Sequence, residues 1–406
     1  MDLINDYPRK AEQLVPCDII NGKIYRQMSS NKKQCNIAII LHADGAPAVN
    51  MNNKSLWPIQ AAIAEIPVPL RDWKPAVMLF GAWLASIKPP RDSLLIPIII
   101  QLQALMNSKI LLKQKDGKIV FYQYYLKNGI LGSRVSYNVR IQQAIFDLPA
   151  CAHFLNVVQY NGYDGCDDCC IKAIGRQIYF PFSEKTEEPK NYQLYLKNSK
   201  HNAHRSIQGI KGPTPLSSIL QLPNQTPYDL MHLIYHVHVK ALLKFWRKMF
   251  GKEIFENGSV FLSNVILPHD VKYQFHSLLD FSNWKAKMLR DFFLYVSPSF
   301  VVYYLPDDYS AHFLLYYAFV RTLYFFNDNK QLDGVDHLFH LYHKSLSRLY
   351  SERSELATVH YHSHLASQVH SHDALCFTSC FSRESYLAYA LKLCKGTTHV
   401  LNQLVT

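Results

Sequence analysis

Two aspartates, each standing directly after a β-branched apolar run, are the residues of this chain best placed for phosphoryl chemistry. Asp44 closes "NIAIILHAD" and is followed by the turn-former Gly45; Asp147 closes "RVSYNVRIQQAIFD" and is followed by Leu148 and Pro149. An acid at a strand's end points into the cleft beyond the sheet. Carboxylates in such places hold hard divalent cations, which demand oxygen ligands. Two ions about 4 Å apart activate an attacking hydroxyl and stabilise the leaving oxygen of a phosphodiester, and such a site normally takes a third acid. Far downstream, "FSRESYLAYALKLCKGT" carries one carboxylate, Glu384, at the head of a run with helical apolar spacing. Its plainest role is that of a charge favoured by the dipole at a helix start.

A second set of residues has soft-ligand chemistry. Cys166 and Cys169 in "GYDGCDDCC" have C-x-x-C spacing and could share one Zn²⁺ with two later ligands. No second C-x-x-C follows, so the expected partners are the nearest imidazoles, His201, His204 and His232. The competing reading is a pair of buried thiols in a reduced protein. The nine cysteines are unevenly spaced, clustering at 166, 169 and 170 and again at 376 and 380. That is unlike a disulfide framework and fits a reducing compartment. In "VHYHSHLASQVHSHD" a strand would place His360, His362 and His364 on one face and a helix would spread them; they read as core or surface histidines. Lys240, Lys244, Arg247 and Lys248 fall on neighbouring turns of one helical pattern, either a stripe that tracks phosphates or a solvated face.

The elements that must position these residues change character along the chain. Residues before about 150 are rich in strand patterns, including "GKIVFYQYYLKN", while "DSLLIPIIIQLQALMNSKILLK" mixes helix and strand signals around Pro97. Beyond Asp147 come a Cys-containing turn, a polar stretch and long helical patterns, of which "SAHFLLYYAFVRTLYFF" is apolar nearly all round and so expected to be buried. The order predicts a mixed α/β unit with a large helical insertion: a lead-in over 1–35, the first part of the core over 36–160, the turn and insertion over 161–370, and a closing helix over 371–406. At 406 residues and 49 % hydrophobic the chain can bury a large core. Lys plus Arg exceed Asp plus Glu by 43 to 31, a charge of +12, which favours a polyanionic partner. The longest apolar runs contain Pro or Gln and fall short of the roughly 20 residues of a spanning helix, and the first residues lack the apolar region of a signal peptide.

Five segments in order resemble one family. "LHADGAPAVNMNNKSLWPIQAAIAEIP", "IFDLPACAHFLNVVQYNGYDGCDDC", "GIKGPTPL", "TPYDLMHLIYHVHVKALL" and "SCFSRESYLAYALKLCKGT" are similar to successive blocks of the CACTA (En/Spm-like) DNA transposases of animal genomes. The resemblance runs from about residue 17 to 397. It implies an RNase H-like catalytic core in which Asp44, Asp147 and Glu384 hold two Mg²⁺ or Mn²⁺, with Asp229 of "YDLMH" as the rival third acid. It further implies cut-and-paste DNA cleavage and strand transfer, element ends and target DNA as partners, a nuclear location, and self-association left open. Departures stand beside it. Ile66 replaces a Leu; Arg176 falls where a His after the C-x-x-C would be; Arg383 precedes Glu384 where an aromatic is usual and could pair with that acid. The first block begins with little chain ahead of it for the N-terminal DNA-binding module such transposases carry. The runner-up reading is therefore an inactive or fragmentary transposon-derived DNA- or protein-binding protein.

Overall fold

The computed structural model describes residues 2–29, 35–47, 53–115, 118–124, 136–201, 205–269 and 271–393. Seven strands form one mixed sheet: β1 Cys35–Ala43, β2 Ala46–Pro47, β3 Ser55–Ile63, β4 Met78–Ala85, β5 Lys109–Lys115, β6 Lys118–Tyr124 and β7 Ser136–Ile145. The pairs β1–β3 and β3–β4 are antiparallel, β7 lies parallel beside β1, and the β5–β6 hairpin extends the sheet past β7. The chain passes from β4 to the far side of the sheet through a helix, Arg91–Met106. Its Leu94, Leu95, Ile98, Ile99 and Leu102 are buried, and its internal Pro97 is exposed, so the donor that Pro97 lacks is missing on the solvent side. The mixed signal in this stretch resolves into helix followed by β5.

Alternation along β1 sets both faces of the sheet. Ile37, Ile39, Leu41 and Ala43 face the Arg91–Met106 helix in one core. Ala38 and Ile40 face the other way, against Tyr7, Ala11, Ile19 and Tyr25. Period-two side-chain direction with both faces covered accounts for the continuous apolar reading of this strand. The segment expected as a lead-in thus covers the second face, with helices at Asp2–Leu14 and Lys23–Met28. It is fastened there by Asp18, which accepts from Tyr7, from the Ile19 N–H and from both terminal nitrogens of Arg71.

The remainder is mainly helical and has its own core, dense in aromatics such as Trp246, Phe293, Phe300, Tyr316 and Tyr342. The Asp307–Tyr324 helix buries Phe313, Tyr316, Phe319, Val320 and Leu323 in it. The chain returns to the sheet with the helix Phe381–Leu393. Gly396 and Thr397, the end of the closing block, lie outside the described residues. Among the described residues no helix is long and apolar enough to cross a membrane.

Candidate metal centres

Asp44 interrupts a ladder for a reason legible in its partner strand. β1 and β2 run along β3 in one continuous register, Ala43 opposite Ile59 and Ala46 opposite Leu56. That register puts Asp44 opposite Pro58, which has no N–H to give, and Gly45 opposite Trp57. The Trp57 ring packs so closely that a Cβ on Gly45 would lie 2.2 Å from it. The break frees Asp44 from the sheet, and its Oδ1 accepts the Gly45 N–H at 2.6 Å.

Asp147 reaches the same end of the sheet on the adjacent parallel strand. His42 of β1 stands opposite Ile145 of β7, so both acids lie two residues beyond that pair, on strands about 4.8 Å apart. An extra residue in β7, Gln142, sets this register, and Gln225 donates to the Ile141 and Gln142 carbonyls around it. The buried ring of His42 contacts the Ile145 carbonyl at 2.7 Å and ties the two strand ends together. Burial pulls its pKa down to about 4, so it is neutral and serves as a staple. Asp147 caps the helix Leu148–Leu155, accepting the Ala150 N–H at 2.6 Å.

Glu384 sits in the first turn of the closing helix and turns to His232, with Oε1 3.3 Å from Nε2. The other ring nitrogen of His232 contacts Asp229 Oδ2 at 2.5 Å. Burial opposes a charge on this imidazole, but its hydrogen bonds to Asp229 and Glu384 outweigh that and push its pKa up to about 11. Asp229 is differently placed. Its two oxygens also take the N–H groups of Met231, His232 and Cys380. The last of these, with the Leu230 N–H to the Thr378 carbonyl at 3.1 Å, clamps the start of the closing helix to this segment. Although burial acts to raise its pKa, the His232 and backbone donors hold Asp229 below the ordinary carboxylate value. Its side chain is 1 % exposed, whereas that of Glu384 is 40 % exposed. Of the two candidates for a third acid, Asp229 is saturated and Glu384 is open.

The acids feel one another. Burial and then the charge of Asp147 push Asp44 up to about 7; Glu384 adds to the rise, and the Gly45 N–H and His232 oppose it. Asp147 is also raised by burial, against the Ala150 N–H, His232 and Lys88. Asp147 and His232 line one wall of a cavity of about 800 Å³, with Tyr160, Tyr179, Arg176 and Arg353 among its other residues. Arg383 does not pair with Glu384. Neighbouring helix positions point about 100° apart, and the Arg383 guanidinium turns to Asp72 instead, 3.6 Å away.

The thiols meet imidazoles other than those nearest in sequence. Cys166 Sγ lies 3.4 Å from His364 Nε2, Cys169 Sγ lies 3.2 Å from His360 Nε2, and the two sulfurs are 3.5 Å apart. The two ring nitrogens are 3.2 Å apart. A tetrahedral Zn²⁺ with bonds of about 2.0 to 2.3 Å sets its ligand atoms roughly 3.3 to 3.8 Å from one another, so the donor set and spacing fit a metal. Burial opposes a thiolate at Cys166, yet the Cys169, His364 and His360 contacts bring it well below the ordinary thiol value. His364 goes up to about 9 against the effect of burial, through the charge and hydrogen bond of Cys166. Asp168, bonded to Gln368 at 2.8 Å, and the Phe180 ring stacked on His360 complete the surroundings.

These positions correct the expected zinc partners. His232 belongs to the acid cluster, His201 is exposed and outside the thiol group, and His204 lies outside the described residues. The stretch 357–364 is helical rather than extended. His360 and His364, four apart, therefore share a face, while His362 points into the core and contacts the Tyr316 hydroxyl and the Thr358 carbonyl. The H-x-x-x-H spacing was the available signal. Among the described residues two groups have ligand atoms all within 4.8 Å of one another: the Cys166–Cys169–His360–His364 set, and Asp229, His232 and Cys380. Neither contains Asp44, Asp147 or Glu384.

The basic helix Lys240–Phe250 continues directly from the segment that carries His232. Lys244 and Lys248 are exposed on it. Lys240 donates to the Ser282 carbonyl, and Arg247 lies over the Phe255 ring at 5.7 Å, so only part of the expected stripe faces solvent. No family model matches the chain, and no curated protein matches it in sequence.

Proposed function

We propose that this chain is the catalytic core of a CACTA-type DNA transposase, with an RNase H-like sheet and an acidic triad of Asp44, Asp147 and Glu384. The observation that carries the reading is the return of the closing helix to the sheet, which sets the open carboxylate of Glu384 on His232 and within the field of Asp44. The topology supports it as well: three antiparallel strands, a crossover helix and, after the β5–β6 hairpin, the strand β7 parallel to the first. When bound, two Mg²⁺ or Mn²⁺ ions supply activation of the attacking hydroxyl and stabilisation of the leaving oxygen. Asp44 and Asp147 would hold them from fixed strand ends, and Glu384 would complete the set by leaving His232. The imidazolium, kept charged by Asp229, compensates the acids and has its Nε2–H free for a phosphate oxygen once Glu384 has turned. The cavity beside Asp147 would receive the DNA strand, and Lys244 and Lys248 would meet its backbone.

A structural Zn²⁺ on Cys166, Cys169, His360 and His364 would pin the turn after the sheet to the far end of the helical insertion. Element ends and target DNA are the partners in this reading, and the nucleus is the location. The second reading, a non-catalytic binding protein of transposon origin, draws on one observation: Asp44 and Asp147 belong to neither close ligand group. Mn²⁺-dependent strand cleavage of DNA bearing the element's termini separates the two. Cleavage that is lost with Asp44→Asn and with Glu384→Gln, but not with the surface change Lys252→Ala, supports the enzyme. Absence of cleavage, or cleavage indifferent to both acids, removes it.

A further inference from the structure

The residue before Glu384 on the closing helix carries a guanidinium that makes no hydrogen bond among the described residues. Arg383 is 5 % exposed, yet among the described residues the carboxylate facing it is that of Asp72, at 3.6 Å, too long for a hydrogen bond. Its second terminal nitrogen is fully buried and unpartnered. A buried charge in that state is costly unless something of opposite charge meets it. Beside it is a pocket of about 200 Å³, whose polar side is formed by Arg71, Asp72, Arg290, Ser379, Ser382 and Arg383 and whose other walls are mainly apolar and aromatic.

Charge balance singles out Arg383 among the three arginines. Arg71 is matched by Asp18 through two bonds of 2.8 and 2.7 Å. Arg290 is matched by Asp291 at 2.8 and 2.6 Å. Asp72, the carboxylate facing Arg383, is 47 % exposed at the pocket mouth. Ser379 accepts the Phe381 N–H, which leaves its hydroxyl proton to donate. The pocket also opens at the start of a 13-residue helix, where the dipole favours an anion. Its volume equals that of roughly six or seven waters at about 30 Å³ each, enough for one tetrahedral oxyanion and its nearest waters.

We propose that this pocket binds a phosphate group, held by Arg383 with help from Ser379 and Ser382, on a flank of the closing helix about 100° round from Glu384. The site stands on Arg383 and its surroundings alone and does not depend on the catalytic reading. The phosphate is either free or carried on a nucleic-acid terminus.

Thermal unfolding in sodium phosphate, against sodium chloride of equal ionic strength and pH, tests it. At ten times Kd, phosphate should raise the wild-type midpoint by roughly 2 °C. Arg383→Met should lose that shift while its midpoint without phosphate equals or exceeds that of wild type, because an unpaired buried charge has gone. Ser382→Asp, which places a carboxylate in the pocket, is the second variant: it should also lose the shift and needs no guanidinium removed. A phosphate effect no larger than that of chloride, or one retained in both variants, overturns the proposal. Titration with a short single-stranded oligonucleotide, with and without a 5′-phosphate, names the source. Arg383-dependent binding that requires the terminal phosphate identifies a DNA end; displacement of inorganic phosphate by neither oligonucleotide identifies the free ion.

Discussion

The thiol–imidazole cluster and the carboxylate cluster are both assembled from distant segments, but only the first is drawn tight. Cys166, Cys169, His360 and His364 have donor atoms 3.2 to 3.5 Å apart in a buried site. The Cys166 thiol, shifted down, and the His364 imidazole, shifted up, attract each other before metal arrives, so nothing drives the set apart. Asp44, Asp147 and Glu384 repel as anions; their site instead carries a cationic His232, two raised acids and an open cavity. Soft ligands can be preassembled, whereas hard ones wait for their counter-charge.

The contrast breaks most sharply if the acid cluster is not a metal site. Removing Asp44 or Glu384 as ligands, by Asp44→Asn or Glu384→Gln, should lower Mn²⁺-dependent cleavage roughly a thousandfold, the rate equivalent of several kcal/mol of charge stabilisation. Folding should be little changed, since Asp44→Asn relieves a charge that Asp147 and Glu384 repel and Glu384→Gln keeps an acceptor for His232, and circular dichroism melts report that. Asp229→Ala should behave in the opposite way and destabilise, because it strands His232 and the Cys380 N–H. If Asp229→Ala abolishes cleavage without a lowered midpoint and Glu384→Gln is active, the third acid is Asp229.

For the thiol cluster the effect should be structural. Chelation, or Cys169→Ser, should lower the unfolding midpoint by about 10 °C and release one zinc per chain, read by metal analysis. His360→Ala should lose the metal, and His362→Ala should keep it while losing stability to a core defect. Metal retained in His360→Ala would dissolve the preassembled half of the comparison.

Glu65 supplies a buried carboxylate that belongs to neither ligand group. Burial pushes its pKa up to about 7, against the Ala38 N–H and the Tyr25 hydroxyl that lower it. An acid raised in the folded state keeps its proton there at pH values where the unfolded chain has lost it. Stability should therefore fall as pH rises from about 4.5 to 7, and Glu65→Gln should flatten that slope in denaturant titrations. Added Mg²⁺ should leave the Glu65 contribution unchanged. The smallest effect is expected on the basic helix: Lys244→Glu and Lys248→Glu should each reduce the salt slope of DNA affinity by about 1. An unchanged slope would make that face merely solvated.

The strand ends were readable because β-branched runs and a following Gly or Leu-Pro mark where a strand stops, and strand stops decide where Asp44 and Asp147 sit. The sheet's two-sided burial was equally legible in "NIAIILHA". What the sequence hid was pairing at a distance. His360 and His364 look like every second residue of a strand until the helical backbone sets them on one face, and no local rule connects them to Cys166. The role of Asp229 was hidden similarly, since its saturation depends on the Cys380 N–H arriving from the chain's far side.

That clamp between Asp229 and Cys380 also has a meaning in time. A chain emerging from its N-terminus completes β1 and β7 early, the thiol–imidazole knot only after His364, and the acid cluster last, when Thr378 and Cys380 dock on Leu230 and Asp229. Contacts of such long sequence separation are slow to form because their loop must close first. The closing helix thus joins the strand ends of β1 and β7 only late in synthesis, and its docking is the final report that every segment between them has folded.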